Sequence, residues 1–193
     1  PDRVIATATS AMRNAVNGQD FVKTAREKYG IHIRVIDGKE EARLIFEGVR
    51  HAVPMGNNPV LVMDIGGGSI EFIIASNSGI LWHNSFEVGA SRLLEKFTPH
   101  EPILPEEIAA IESYADESLA DLFEATRTYE LSTLVGSSGS FDALANMASF
   151  VLNGQAMDPA LRYFTIPCPV FSDLYHRLLH SNLEQRKEIP GMD

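Results

Sequence analysis

The sequence predicts an α/β fold in which helices flank a mixed β-sheet. Three apolar segments between residues 60 and 88 follow one another with short turns between them, which is the pattern of a three-strand meander. A helix, a short strand and another helix come next, and their apolar residues recur with the spacing of one buried helix face. Glycine-rich turns at residues 66–68 and 136–140 follow two of the predicted strands.

The first part of the chain predicts two strands and two helices. Residues 4–9 are rich in β-branched side chains and residues 31–36 alternate apolar with polar, so both segments are predicted as strands. Asp20 is a good N-cap residue for a helix that ends at Tyr29. A second helix begins at Lys39, and its apolar residues share one face: Ala42, Ile45, Phe46 and Val49.

Residues 54–59 form the best domain boundary, because two prolines, two asparagines and a glycine occur in this short segment. The boundary predicts the C-terminal part of a first domain at residues 1–57 and a second domain at residues 58–193. Beyond it the sequence predicts strands at 60–63, 70–75, 80–88 and 131–135, and helices at 90–97, 105–129, 141–152 and 172–185.

The order of the predicted elements, β-β-β-α-β-α, is that of the mixed sheet of a ribonuclease-H-like domain. The chain starts directly before a predicted strand and stops on a turn. We therefore expect it to be a fragment of a two-domain protein, with a second domain that is incomplete at its C-terminus.

Composition excludes several classes of function. With 45% hydrophobic residues the 193-residue chain can bury a core. Its net charge of −10 argues against a basic face that binds nucleic acid. Cys168 is the single cysteine, which excludes an intrachain disulfide and a cysteine-based metal cluster. Neither a long uncharged apolar run nor a signal peptide is present, so we expect a cytoplasmic protein without membrane contact.

The turn between the first two strands of the meander is typical of a phosphate-binding loop. Three glycines at residues 66–68 allow backbone N–H groups to approach an anion, and Ser69 adds a hydroxyl donor. Asp64 ends the buried strand, and Glu71 lies on the return strand on the same side as Ser69. Two carboxylates beside a phosphate suit hydrated Mg²⁺. The alternative is a plain tight hairpin, but the flanking acids and the serine favour phosphate binding.

Other candidate residues carry weaker patterns. Residues 136–140, Gly-Ser-Ser-Gly-Ser, follow a strand and open a helix, whose first N–H groups attract anions. Two such loops at strand ends suggest two sides of one phosphate-binding cleft. By pattern alone, Glu40 and Glu41 are acids favoured by a helix N-terminus, and Arg13 is a solvated arginine at a strand-to-helix turn.

Four stretches of the chain resemble the Ppx/GppA phosphatase family, the exopolyphosphatases and guanosine pentaphosphate phosphohydrolases of the actin-like ATPase superfamily. They are ATATSAMRNA at residues 6–15, GKEEARLIFEGV at 38–49, LVMDIGGGSIEFII at 61–74 and LVGSSGSFDALA at 134–145. The EEA helix and the DIGGGSxE loop together are specific, because sugar kinases, Hsp70 and actin share the loop but not that helix. The DxGSN loop with which the family opens does not occur in this chain.

The resemblance implies a role for each candidate residue. Glu41 matches the family's general base, which activates the water that attacks the terminal phosphorus. Asp64 and Glu71 match the carboxylates that organise Mg²⁺ and water, and Arg13 matches the arginine on the phosphate chain. The implied phosphate-binding residues are Gly66, Gly67, Gly68 and Ser69 in the main loop, and Gly136, Ser138 and Gly139 in the second loop.

By the same resemblance we expect a Mg²⁺-dependent phosphohydrolase, and a homodimer. It would release the terminal phosphate of inorganic polyphosphate, convert guanosine pentaphosphate (pppGpp) to ppGpp, or do both. Two alternatives stay open: a sensor that binds polyphosphate or (p)ppGpp without hydrolysing it, and a nucleotide-dependent kinase or ATPase of the same superfamily. An intact Glu41 argues against the sensor, and the EEA helix argues against the kinase.

Overall fold

The computed structural model describes residues 4–192 and confirms an α/β fold with a mixed sheet and flanking helices. The strands are β1 Ala6–Ala8, β2 Ile33–Val35, β3 Val60–Ile65, β4 Ile70–Ser76, β5 Gly79–Phe86 and β6 Leu134–Ser137. The helices are α1 Ser10–Asn14, α2 Gly18–Tyr29, α3 Gly38–Ala52, α4 Ala90–Phe97, α5 Pro105–Ser118, α6 Ala120–Thr126, α7 Gly139–Asn153, α8 Cys168–Leu179 and α9 Leu183–Lys187.

The strands of the described residues form two sheets. In the smaller sheet β1 and β2 pair in parallel. The larger sheet has the order β5-β4-β3-β6, in which β3, β4 and β5 are an antiparallel meander and β6 pairs in parallel with β3. The predicted meander, followed by helices, a strand and a helix, is confirmed.

Helix α3 covers one face of the larger sheet, and its predicted buried face is confirmed. The cluster between helix and sheet consists of Ala42, Phe46, Val49, Val62, Ile73 and Ala75. The side chain of Asp37 accepts a hydrogen bond from the N–H of Glu40 and thereby caps the N-terminus of α3. Because α3 packs on strands that lie beyond residues 54–59, the packing joins the two predicted parts of the chain. The boundary at residue 57 stays a prediction.

Helices α5 and α6 belong to the opposite face of the larger sheet. The sequence predicts one helix over residues 105–129, and this prediction is wrong, because the helix is interrupted at Leu119. The interruption places Leu119 and the buried Leu122 in one apolar cluster with Phe72 and Phe86 of the sheet. Burial of these side chains therefore outweighs the helical preference of the continuous segment.

The predicted helix at residues 172–185 is also two helices. α8 already begins at Cys168, with a proline in its first turn, where the missing N–H is tolerated. A new N-cap then separates α9, because the side chain of Asn182 accepts the N–H of Gln185. Both helices share a third apolar cluster with α7, formed by Met147, Ala148, Leu174 and Ile189.

The first helices differ slightly from their predicted bounds. α2 starts at Gly18, and Asp20, the predicted N-cap, lies in its first turn instead. The chain turns tightly between α1 and α2, and a side chain at Gly18 would meet the backbone of Met12. This close connection sets the start of the helix. None of the helices in residues 4–192 is long and apolar enough to cross a membrane.

Truncating Phe46 tests how much the contact between α3 and the larger sheet contributes to stability. Phe46 is 4% exposed within the α3 cluster. We expect Phe46→Ala to lower the free energy of unfolding by about 3–5 kcal/mol, because the loss of burial adds to the cost of a cavity. The measurement is urea unfolding followed by circular dichroism. Leu44→Ala on the same helix is the control, since Leu44 is 40% exposed, and an equal loss in both variants would contradict the packing described.

Candidate phosphate-binding and catalytic site

A row of polar side chains crosses the larger sheet near the ends of its strands. Asp64 on β3 is paired with Glu71 on β4, and Glu71 is paired with Ser85 on β5. On the other side, Asp64 is paired with Ser137 on β6. Directly opposed residues project from the same face of a sheet, so the four side chains lie side by side. This is the face covered by α3, because Val62, two residues before Asp64, packs against that helix.

Glu71 is the most enclosed carboxylate of this row, with 3% of its surface exposed. Its Oε1 atom accepts hydrogen bonds from the hydroxyl of Ser69 at 2.6 Å and from the hydroxyl of Ser85 at 2.8 Å. Burial raises the pKa of Glu71, the two hydroxyl donors oppose this rise, and the charges of Glu41 and Asp64 add to it. The fold therefore gathers three carboxylates at one place.

Glu41 faces this row from the first turn of α3 and is held there by Arg13 of α1. Nη1 of Arg13 donates to Oε2 of Glu41 at 2.8 Å and to the carbonyl of Ile36 at 2.8 Å. Both side chains are mostly shielded from solvent, and Ile36 directly follows β2. Arg13 therefore connects the smaller sheet to the carboxylate that was predicted as the base.

Glu40, the neighbour of Glu41, forms ion pairs at the protein surface. Its carboxylate forms ion pairs with Arg43 at 2.8 Å and with Arg34 at 3.1 Å. The hydrogen bond from Arg43 contributes most to lowering the pKa of Glu40 to about 2. Consecutive residues of a helix point in different directions. Of the two acids that open α3, Glu41 is thus the one directed to the polar row.

The three glycine carbonyls of the loop all point toward the start of α4. They are held by three hydrogen bonds: from the N–H of Ala90 to Gly66 at 3.0 Å, from the N–H of Ser91 to Gly67 at 3.0 Å, and from Nε of Arg92 to Gly68 at 2.7 Å. The first N–H groups of a helix have no partner within the helix. In α4 these groups hold the loop.

Because the glycine carbonyls are held by α4, the N–H groups of the residues that follow them face away from these hydrogen bonds. In a planar trans peptide, the C=O of one residue and the N–H of the next point in opposite directions. The N–H groups of Gly67, Gly68 and Ser69 therefore point away from α4. Within residues 4–192 no acceptor is hydrogen-bonded to these three groups. Successive free N–H groups in such a turn form a concave site for an anion.

Close packing explains two glycines of this region. A Cβ atom on Gly89 would lie 2.5 Å from backbone atoms of Gly67 and Ser69, so only glycine lets α4 start this close to the loop. A Cβ atom on Gly68 would lie 3.0 Å from the hydroxyl of Ser10, a buried residue of α1. Residues 66–68 do not have positive φ angles. The loop needs glycine for close approach, since its backbone is not left-handed.

The second predicted loop lies beside the first. The hydroxyl of Ser138 donates to the carbonyl of Ile65 at 2.9 Å, which joins the start of α7 to the end of β3. Ser138 has a φ of +72°, a conformation that costs energy for a residue with a side chain. The N–H groups of Gly139 and Ser140 open α7 and have no acceptor among the described residues. They supply a second set of donors for an anion.

Gly136 has a packing role. It lies in β6 opposite Met63, because the strand extends to Ser137 instead of ending at Val135 as predicted. A side chain at Gly136 would overlap the ring of Phe141. The missing Cβ atom therefore lets Phe141 pack against the strand, and the phosphate contact assigned to Gly136 stays a prediction.

Two cavities are lined by residues of the elements that carry the site. A cavity of about 310 Å³ is lined by Arg92 and Tyr114, and another of about 430 Å³ by Glu40 and His83. Neither is lined by the carboxylate of Glu71.

Three residues at the site carry no strong sequence signal: Ser85, Arg92 and Asn14. Ser85 is identified only once the register of the meander pairs β5 with β4. Arg92 holds the Gly68 carbonyl and also forms an ion pair with Glu87. Asn14 of α1 donates to both carboxylate oxygens of Glu87 at 2.8 Å. These contacts depend on where α1 and α4 lie in space, which local patterns do not encode.

Asp64 and Glu71 are the residues that fit a Mg²⁺ ion. Within residues 4–192 no group of three His, Cys, Asp or Glu side chains is arranged to hold a metal. Mg²⁺ usually takes one or two protein carboxylates and completes its octahedron with water and substrate phosphates. Two adjacent carboxylates satisfy that requirement, and a cation between them would offset their mutual repulsion.

Comparison with known proteins identifies relatives of the whole chain. A model of the Ppx/GppA phosphatase family matches residues 1–193. The crystal structure of an exopolyphosphatase from Cytophaga hutchinsonii is 40% identical, with a TM-score of 0.90 over 99% of this chain and 61% of that chain.

A Ppx/GppA family member from Aquifex aeolicus is 23% identical, with a TM-score of 0.77 over 99% of this chain and 60% of that one. An exopolyphosphatase-like protein is 24% identical, with a TM-score of 0.82 over 100% of this chain and 62% of that one. These two structures show the same fold. The chain spans about 60% of the length of the solved structures it matches.

Replacing Glu71 with glutamine tests the cost of burying this carboxylate. A raised pKa means that the folded protein holds this proton more tightly than the unfolded chain does. The stability that protonation contributes is therefore complete below the ordinary value of 4.5 and is lost as the pH rises through the folded-state pKa. Glutamine still accepts the two hydroxyl bonds and carries no charge. We expect the difference in unfolding free energy between Glu71→Gln and the wild type to shift in favour of Glu71→Gln as the pH rises from about 4 to about 7.

Urea unfolding in a buffer with a chelator, followed by circular dichroism at both pH values, measures this difference. Glu112→Gln, at an exposed position of α5, is the matched control. A stability difference between Glu71→Gln and the wild type that is the same at both pH values would show that burial of the charge is not the cause.

Proposed function

The chain belongs to the Ppx/GppA phosphatase family, which has the actin-like ATPase fold, and we propose that it hydrolyses the terminal phosphoanhydride of inorganic polyphosphate. One observation carries the proposal. The N–H groups of Gly67, Gly68 and Ser69 have no acceptor among the described residues, while the carbonyls before them are held by α4, and the loop directly joins the two strands that carry Asp64 and Glu71. The 40% identity to an exopolyphosphatase supports the substrate class.

In the proposed reaction Glu41 is the general base. Its carboxylate takes a proton from the water that attacks the terminal phosphorus, and the bond from that phosphorus to the bridging oxygen breaks. The contact with Arg13 at 2.8 Å fixes the direction of the carboxylate before substrate arrives. A base that is already oriented loses little entropy in the reaction.

Arg13 can orient Glu41 and bind phosphate at the same time. A guanidinium has five N–H donors, and the two on Nη1 are used by Glu41 and by the carbonyl of Ile36. The Nε and Nη2 donors have no acceptor within residues 4–192. They form the planar edge that pairs well with phosphate oxygens. The two roles predicted for Arg13 and Glu41 are therefore compatible with their contact.

The glycine loop would hold the phosphoryl group that is transferred. Its N–H groups are fixed before binding, so they stabilise the charge that develops on the equatorial oxygens without rearrangement. The N–H groups of Gly139 and Ser140 at the second loop would contact a neighbouring phosphate. Asp64 and Glu71 would hold Mg²⁺, which neutralises charge on the phosphate oxygens when bound.

The same residues suit the terminal phosphate of pppGpp, since it is also a phosphoanhydride. We propose polyphosphate first because the donors of the loop and of Arg13 suit phosphate oxygens, and because the chain is 40% identical to an exopolyphosphatase. Assays with both substrates separate the two activities. Binding of either ligand without release of phosphate would favour the alternative of a sensor.

Glu41→Gln is expected to reduce the rate of phosphate release from polyphosphate by roughly 10² to 10⁴-fold, because proton abstraction is lost while the shape is kept. The measurement is the steady-state release of inorganic phosphate by the purified protein. Glu40→Gln is the matched control, since Glu40 lies on the same helical turn and, within residues 4–192, its carboxylate pairs with the exposed Arg34 and Arg43 alone. Undiminished activity in Glu41→Gln would exclude Glu41 as the base.

Removal of divalent cations is expected to abolish phosphate release, and Mg²⁺ is expected to restore it. Asp64→Asn should raise the Mg²⁺ concentration required for half-maximal activity by about 10-fold or more, because a charged ligand becomes neutral. Asp121→Asn on α6, on the other face of the sheet, is the control and should titrate like the wild type. Identical Mg²⁺ dependence in Asp64→Asn would exclude this site for the cation.

A further inference from the structure

We propose that Arg92 is a positioning residue that keeps the Gly68–Ser69 peptide in the orientation required for phosphate binding. The inference rests on the proposed function, because it concerns the same loop. Arg92 acts from the side opposite the ligand, through the Gly68 carbonyl, and its guanidinium does not need to touch phosphate.

The geometry separates Gly68 from the other two glycines of the loop. The carbonyls of Gly66 and Gly67 accept hydrogen bonds from main-chain N–H groups of α4. These bonds are retained whatever the side chains are. The carbonyl of Gly68 accepts its bond from a side chain, Nε of Arg92 at 2.7 Å. Within the described residues it is the one glycine of this loop whose carbonyl depends on a side-chain donor.

Loss of that donor would free the peptide to rotate. Glycine tolerates backbone conformations that other residues do not, so the Gly68 side of this peptide offers little resistance. A rotated peptide would turn the Gly68 oxygen toward the phosphate and the Ser69 N–H away from it. The loop would lose one donor and place a partial negative charge next to an anion.

Arg92 is itself held in place. Its Nη2 atom forms an ion pair with Glu87, and Asn14 of α1 donates to both oxygens of that carboxylate at 2.8 Å. The Glu87 side chain is half exposed, so the pair contributes little to overall stability. Its effect is to direct the planar guanidinium, whose Nε then faces the Gly68 carbonyl. Glu87 also offsets the charge of Arg92.

The test is the affinity of the protein for tripolyphosphate, measured by calorimetry, with Arg92→Met, Arg92→Lys and Lys96→Met compared with the wild type. We expect roughly 10- to 100-fold weaker binding for Arg92→Met, the loss of one charge-assisted hydrogen bond. The affinity of Arg92→Lys should lie between those of the wild type and Arg92→Met. Lysine keeps the charge but lacks the planar guanidinium that binds Glu87 and the Gly68 carbonyl at the same time. Lys96→Met removes a cation one turn along α4 and should bind like the wild type.

Amide NMR supplies a measurement that a general loss of stability would not reproduce. In the wild type, tripolyphosphate should shift the amide signals of Gly67, Gly68 and Ser69. In Arg92→Met we expect the Ser69 shift to be lost while the Gly67 shift remains, because the Gly66 carbonyl is still held by Ala90. Steady-state kinetics of Arg92→Met should show a raised KM and also a lowered kcat, because the Ser69 N–H group is proposed to act on the bound phosphate and on the transition state.

The outcomes are distinct. Wild-type affinity in Arg92→Met, or a Ser69 amide that still responds to tripolyphosphate, would overturn the positioning role. Equally weakened binding of tripolyphosphate in Lys96→Met and Arg92→Met would also overturn the positioning role, since the loss of a positive charge would then explain the weaker binding. A wild-type protein that binds tripolyphosphate but releases no phosphate would contradict the proposed function and leave the role of Arg92 in binding intact.

Discussion

The orientation of three peptide groups is the constraint on which the site depends. The carbonyls of residues 66–68 are held by the start of α4 and by Arg92, so the N–H groups that follow them must face the other way. A helix N-terminus often holds an anion directly. Here α4 acts indirectly: its N–H groups bind the loop carbonyls, and the N–H groups of Gly67, Gly68 and Ser69 have no acceptor among the described residues. Gly89 makes this possible, since a side chain there would meet the loop backbone.

Repulsion between carboxylates is the second force that shapes the site. Folding brings Glu41 and Asp64 close enough to Glu71 to raise its pKa, in addition to the effect of burial. Apolar packing opposes this cost. Each fully buried aliphatic or aromatic side chain between α3 and the sheet contributes about 1.5–3 kcal/mol, and Phe46 and Ile73 lie in that cluster. Perturbed carboxylates of this kind concentrate at functional sites, where a cation or a substrate relieves them.

Local patterns predicted those parts of the protein whose structure is set by near neighbours. The buried face of α3 follows from the spacing of its apolar residues, and the strand–turn–strand around residues 66–68 follows from its composition. The interruption at Leu119 was missed because neither proline nor glycine marks it and packing against the sheet decides it. Ser85 and Arg92 were missed for a related reason. Their partners, Glu71 and Gly68, become neighbours only through strand register and the docking of α4.

Helix α3 begins beside the smaller sheet but packs on the larger one, so Glu41 and the glycine loop are connected through the same apolar cluster. Arg13, Asn14 and Ile36 belong to the segments around the smaller sheet. The hydrogen bonds from Arg13 to Glu41 and from Asn14 to Glu87 connect these segments to the part of the chain that packs on the larger sheet. A change in the orientation of the smaller sheet would therefore act first on these two bonds, and through them on the direction of the Glu41 carboxylate and of the Arg92 guanidinium.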